Sequence, residues 1–287
     1  MKRIVMVGCG DIALRVAPLL RGRYRLYGLI RNPAREAGLR AAGIIPVFGD
    51  LDDRASLARL ASLADAVLHF APPAPDKNNR DLRTRNLLAV LNRPVPLIYI
   101  STSGVYGDCG GGRVDETRPP HPQTARALLR LDAERQSRAW ARRNHARAVI
   151  LRVPGIYAAD RLPLERLRAG TPAILENEDS YTNHIHADDL ARIVVAALHR
   201  GRPHRIYHAS DDGEMKMGDY FDVVADAHGI PRPPRLPRAE VERGVSPMLW
   251  SFMNESRRLS NTRMKKELGV VLRHPTVRDA LNCRGEF

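Results

Sequence analysis

Hydrophobic and polar positions change period repeatedly along the first half of the chain. Residues 2–7 form a short, β-branched apolar run. Residues 12–20 then repeat apolar side chains at helical spacing until Arg21-Gly22 breaks the pattern. The exchange recurs. Strands are predicted at 26–30, 44–48, 66–70 and 95–101, and helices at 33–42, 53–63 and 79–92. Asn32 suits a cap and Pro33 a first helical position. A long helix is expected over 123–144 and a strand over 146–153. After Pro154 the pattern loosens, with strands read at 184–186 and 205–208 and helices at 187–199, 217–228 and 261–268. Short apolar strands alternating with helices imply an α/β protein: a doubly wound parallel sheet covered on both faces, with right-handed crossovers. The expected division is a first domain over 1–154 and a smaller C-terminal lobe over 155–287, with segments near 184–208 returning to the first domain.

Composition narrows the class. Apolar types are 44% and charged types 27% of 287 residues, as in ordinary soluble globular chains. Cys9, Cys109 and Cys283 are odd in number and have no paired spacing, which suits a reducing compartment and a cytoplasmic location. No apolar run approaches the roughly 18 residues needed to span a bilayer. The first run meets Gly8 and Asp11 at once, so it reads as a strand and not as a secretory signal, and no membrane partner is expected. The net charge of +14 falls mainly in residues 1–150, and all but five of the 46 basic residues are arginine. These arginines are dispersed, aromatic residues are only 5%, and no basic tail occurs. The pattern favours solvated faces or an anionic cofactor over nucleic acid.

The most informative turn is Gly8-Cys9-Gly10-Asp11-Ile12-Ala13, between the first strand and the first helix. One glycine permits a tight turn. The next lets the backbone approach a pyrophosphate, and small Ala13 lets helix and strand pack closely. The unpaired amides of the helix start would face the phosphates. Dinucleotide sites selective for NAD often carry an acid at the end of the second strand, where this chain has Arg31, 21 positions after Gly10. Arginine cannot accept from ribose hydroxyls but can pair with a 2′-phosphate, with Arg35 assisting. NADP(H) is therefore favoured, with NAD(H) the alternative. After the third strand, Asp50 and Leu51 either approach an adenine or close a turn. After the fourth, Phe70, Ala71 and Pro72 pass close to the cofactor, while His69 reads as a packed histidine.

Several further segments resemble the extended short-chain dehydrogenase/reductase superfamily, the group of NAD-dependent epimerases and dehydratases. They are Gly8, Gly10 and Ala13; Gly49-Asp50-Leu51; the run 101–108, STSGVYGD; Asp115-Glu116; the run 151–157, LRVPGIY; and the run 184–190, HIHADDL. The resemblance implies a Rossmann-type nucleotide-binding domain and a variable lobe that shapes the substrate pocket. It implies a serine or threonine after the fifth strand that polarises the substrate oxygen, matching Thr102, with Ser103 beside it. It also implies a tyrosine and, four residues later, a lysine on the next long helix. Those two positions hold Arg126 and Arg130. Arg126 cannot be a general base near neutral pH, whereas Arg130 remains able to bond a ribose or neutralise a phosphate. This pattern resembles the superfamily's atypical branch. Members often pair long helices from two subunits, so a homodimer is one expectation, although the arginines of 123–144 weigh against that face.

Three functions follow as expectations. One is an NAD(P)-dependent oxidoreductase or epimerase-like enzyme with a rearranged acid–base set, acting on a small carbonyl, alcohol or nucleotide-sugar-like substrate. The second is a non-catalytic NADP(H)-binding sensor or regulator. The third is an assembly protein that keeps only the fold.

Overall fold

The computed structural model describes residues 1–282, so Cys283 lies outside the described residues. The first domain is built from β1 Lys2–Val7, α1 Asp11–Leu20, β2 Tyr24–Ile30, α2 Glu36–Ala41, β3 Ile44–Phe48, α3 Leu60–Leu63, β4 Ala66–His69, α4 Leu82–Val90, β5 Leu97–Thr102, α5 Ala125–Arg143 and β6 Ala148–Val153. Two later elements join it: α6 Ala187–Arg200, which packs on α1, and β7 Ile206–His208, which pairs with β6. The sheet has seven parallel strands in the order β7-β6-β5-β4-β1-β2-β3. Alternation along β1 sends Ile4 and Met6 into the core against α1 and α6. Val5 and Val7 go into the opposite core, which includes Leu57, Leu87 and Trp140. The strand order reverses at β1 and β4, which opens a crevice at their carboxyl ends.

The second lobe has its own core around Tyr157, Leu167, Phe221, Val224 and Met253. It is joined by ribbons of two or three residues. Gly155–Tyr157 runs beside His184–His186, and Arg258–Leu259 returns to pair with Arg113–Val114 beyond β5.

Three predicted helices differ from the observed ones. The single helix expected over 53–63 is a 3₁₀ turn, Ala55–Leu57, followed by four-residue α3. Ser56 is the cause: its hydroxyl bonds the backbone of Asp50 and Asp53 and competes with the helical ladder. The helix expected from 33 opens as a 3₁₀ turn capped by Asn32, whose side chain accepts from Ala34 N. The helix expected from 79 begins at Leu82, because the Asp81 carboxylate caps it by accepting from the amides of Arg83 and Thr84.

A buried polar chain ties the end of the sheet together. Arg152 on β6 pairs with Glu134 on α5 through Nη2 at 2.7 Å and Nε at 3.0 Å, and Ser101 donates to Glu134 at 2.5 Å. Arg152 also lies over the Tyr106 ring, 4.7 Å from its centre. Tyr106 donates to His208 Nε2 at 2.6 Å, so His208 Nδ1 donates to Ser260 O at 2.9 Å. Burial holds His69, His184 and His208 neutral, each pushed down to about 3. An unfolded chain takes up these protons from about pH 6.5 downward and the fold does not. Stability is therefore expected to be flat above about pH 7 and to fall as pH drops between about 6.5 and 3. Each histidine contributes on the order of 1 kcal/mol per pH unit once it titrates in the unfolded chain. Urea midpoints measured from neutral to acid pH check this; a midpoint that stays constant to about pH 5 contradicts it.

Candidate functional site

The site is built on the crevice at β1 and β4. Gly8 ends β1 with φ +90°, and a Cβ there would lie 2.4 Å from Ala71 N, against backbone that cannot step aside. Gly10 caps α1 at φ −88°, and a Cβ there would meet nothing within 4 Å. One glycine thus closes the turn against the β4 loop, and the other leaves open space at the amides of a ten-residue helix. Beneath them Ile12 and Ala13 are buried in the core. These residues fit a dinucleotide pyrophosphate: the open face at Gly10 is the approach that phosphate oxygens require.

The crevice continues as a cleft of about 270 Å³ bounded by Gly8, Arg31, Arg35, Asp50, Leu51 and Ala71. Arg35 reaches back across it and donates to Cys9 O at 2.9 Å. Arg31 is largely exposed at the cleft, 3.6 Å from Asp50 and 3.9 Å from Asp52. Asp50 also closes its own turn by accepting from Asp52 N. Arg83 clasps Asp52 with two bonds and donates to Pro72 O, which joins the loops after β3 and β4. Phe70 is half-buried against the main core. The Cys9 thiol is pushed up to about 12 by burial, against the opposing charge of Arg35, so it offers no nucleophile.

The side chain of Asp11 has a different role from the phosphate approach of its backbone. It pairs with Arg15 at 2.8 Å and Arg161 at 2.9 Å, and Arg15 continues to Asp188 at 2.7 Å. Burial alone would raise this carboxyl; the two guanidiniums bring it below the usual carboxylate range. Glycine-turn helix, second-lobe loop and α6 meet in this network.

A second pocket of about 310 Å³ opens beside the end of β5. Thr102, Ser103 and Arg126 form one side, and Tyr181, His184 and Tyr220 belong to the lobe side. Thr102 Oγ1 accepts from Gly104 N at 3.2 Å, which leaves its hydroxyl proton free to donate. Ser101 is committed to Glu134 and faces away from this chemistry. Between the two compartments stands Arg130. Its Nη1 donates to Ile100 O at 2.8 Å, Tyr99 Oη at 3.1 Å and Ala71 O at 3.3 Å. Arg126 lies over the Phe252 ring at 4.2 Å. Burial, with Arg130 adding to it and Glu255 opposing, lowers its pKa from the ordinary value. Among the described residues no cluster of three His, Cys, Asp or Glu could hold a metal ion.

The model of the family described as NAD dependent epimerase/dehydratase matches residues 13–209. The chain belongs to that family. Within it, the chain is 30% identical over 190 residues to a dTDP-glucose 4,6-dehydratase of Mycobacterium tuberculosis, an alignment covering 58% of this chain. The chain spans 57% of that relative's length. An uncharacterized Schizosaccharomyces pombe protein is 28% identical over 75% of the chain and 76% of its own length. A functionally unknown conserved protein from Silicibacter pomeroyi shares the whole architecture, with TM-score 0.81, 29% identity and coverage of 98% and 97%. The UDP-glucuronic acid 4-epimerase of Bacillus cereus, solved in complex with NAD, shares the fold at TM-score 0.74 and 19% identity, with coverage of 97% and 96%. No helix among the described residues is long and apolar enough to cross a membrane.

For an epimerase/dehydratase-family chain, several residues gain plain structural roles. His69 is buried and bonds Thr84, and Glu116 accepts from His208 N. Arg152 pairs with buried Glu134. The sequence reading also missed Glu255, Arg166 and Phe252 in the second pocket. Arg166 and Phe252 lie on short helices and Glu255 on a loop, none with a periodic signal, and they meet in the pocket only through the tertiary fold.

Proposed function

We propose that the protein is an NADP(H)-using oxidoreductase or epimerase-like enzyme acting on a sugar-like carbonyl or alcohol. The observation that carries this reading is the open face at Gly10, in a crevice whose Ala71 wall is bonded through Arg130 to β5, at the end of which a second pocket is edged by the Thr102 hydroxyl. Gly8, the amides after Gly10, Arg35 and Arg31 would hold the dinucleotide, whose nicotinamide accepts or delivers hydride when bound. Thr102 donates a hydrogen bond to the reacting oxygen. Arg126 remains a cation near neutral pH and stabilises negative charge as it develops there; it does not remove the proton. Proton exchange therefore passes to solvent or to substrate. The relatives named as dTDP-glucose dehydratases make sugars the first substrates to test.

The expected result is NADPH-linked turnover of a sugar carbonyl or alcohol, with kcat about 100-fold lower in Thr102→Val at unchanged NADPH affinity. An unchanged kcat removes the role of Thr102. For the cofactor, Arg31→Ala is expected to raise the NADPH Kd about tenfold and the NADH Kd much less, in line with loss of a charge-assisted contact. Equal effects in equilibrium titrations remove the preference for the 2′-phosphate.

A second reading has one observation in its favour. Arg130, at the family's lysine position, already bonds three protein acceptors. A non-catalytic NADP(H) sensor fits that commitment. It predicts saturable NADPH binding without turnover across the same sugars.

A further inference from the structure

The pocket beside Thr102 holds a charge pattern that the dinucleotide does not use. Three guanidiniums, from Arg126, Arg166 and Arg257, line it against one carboxylate, Glu255. Arg257 is committed: its Nη1 lies 2.8 Å from Glu255 Oε2 and donates to Gly107 O at 2.7 Å. Arg126 and Arg166 form no ion pair among the described residues. Each lies on an aromatic ring instead, Arg126 over Phe252 at 4.2 Å and Arg166 over Phe221 at 3.9 Å. Arg166 Nη2 is held by Pro172 O at 3.1 Å and Met253 Sδ at 3.4 Å. Its Nε is shut off from solvent without a hydrogen-bond partner. Burial pushes Arg166 down to about 10, with Asp179 opposing, and it is still a cation near neutral pH. Among the described residues, half-buried Arg166 has no direct ion pair and an unpartnered Nε, exposed Arg126 in the same pocket has no direct ion pair either, and the group that would satisfy both is an oxyanion. The amides suited to the cofactor's phosphates lie in the other compartment, at Gly10.

The size of the pocket suits a compact carrier of that oxyanion. At about 310 Å³ the pocket is at the low end of ligand sites, which span about 300–1,000 Å³. A base, a ribose, a diphosphate and a hexose together need more room than one hexose with one charged group.

We propose that Arg126 and Arg166 grip the carboxylate or phosphate of a small, sugar-like substrate that is not linked to a nucleotide. This rests on the reading of the Thr102 pocket as the substrate site. The geometry supports a two-point hold. Arg166 is held over the Phe221 ring with Nη2 already bonded and offers its remaining Nη1, while Arg126, on the first turn of α5, lines the same pocket beside Thr102.

The test is calorimetric titration of the full chain, with and without saturating NADPH, by glucose, glucose 6-phosphate, glucuronate and UDP-glucose. At least one of the two charged hexoses is expected to bind tenfold or more tightly than glucose, and UDP-glucose no more tightly than that hexose. Whichever charged hexose binds names the group as phosphate or carboxylate. Arg126→Ala, and Arg166→Lys, which keeps the charge but loses the planar guanidinium held over Phe221, are each expected to weaken it at least tenfold. Both should leave the NADPH Kd within twofold and the melting temperature unchanged. The proposal is overturned if glucose binds as well as both charged hexoses, if none of the four binds, if UDP-glucose binds more than tenfold tighter than either charged hexose, or if neither variant changes affinity. Charged-hexose binding that survives without any NADPH binding supports this proposal and sinks the dinucleotide reading alone. Intact NADPH binding without hexose binding does the reverse.

Discussion

Gly8→Ala is expected to destabilise the fold by about 3 kcal/mol or more and to lower Tm by roughly 10 °C, before any effect on ligand is measured. The residue sits at φ +90°, where an L side chain is strained. The added Cβ would lie 2.4 Å from Ala71 N, 2.7 Å from Ala71 Cα and 2.9 Å from Phe70 C. That backbone is pinned, since Phe70 N and Ala71 N both donate to Val7 O, at 2.7 and 3.0 Å. Gly10→Ala is the matched contrast. Its φ is ordinary and its Cβ meets nothing within 4 Å, so it should melt like the parent. The methyl occupies the face offered to the phosphates, and the NADPH Kd should rise tenfold or more. Thermal melts and titrations on the two variants separate the roles. A Gly10→Ala protein that binds NADPH normally would show that the open face belongs to something else.

The second large effect is expected at Glu134. Its carboxylate and the Arg152 guanidinium are 3% and 2% exposed, and they share two bonds. Burial on its own lowers the Arg152 pKa, yet Glu134 more than reverses this and holds the guanidinium charged. Glu134→Ala leaves that charge uncompensated and frees the Ser101 hydroxyl, at a cost of about 3–5 kcal/mol. Replacing both partners, as Glu134→Leu with Arg152→Met, should recover more than half of the loss, because the apolar pair has no charge to strand. Urea midpoints of the two single variants and the double variant give the coupling directly. A single-variant loss below about 1 kcal/mol would mean that the pair is solvated.

Legibility in the sequence followed the reach of the interactions. The strands of the first domain are contiguous apolar runs, and their positions were readable within a residue or two at most ends. The glycine turn was readable because both of its glycines act on their immediate surroundings. The 53–63 helix was misread because one hydroxyl, Ser56, diverts the local backbone, and apolar spacing carries no record of that. Arg126 and Arg130 stood out as replacements, but their fates diverge only in three dimensions: one faces the pocket, the other bonds the floor between compartments. The lobe was least legible. Its two-residue ribbons take partners far away in the chain, as when Arg258 and Leu259 find Arg113 and Val114, and two residues are too few to show a period.

Arg130 also decides when the crevice acquires its shape. With one nitrogen it staples the loop after β4 to the carboxyl half of β5, and it does so through the protein's own oxygens. The seam is therefore rigid before anything arrives. The entropy of ordering it is spent during folding, and an incoming ligand meets a preassembled surface with little left to immobilise.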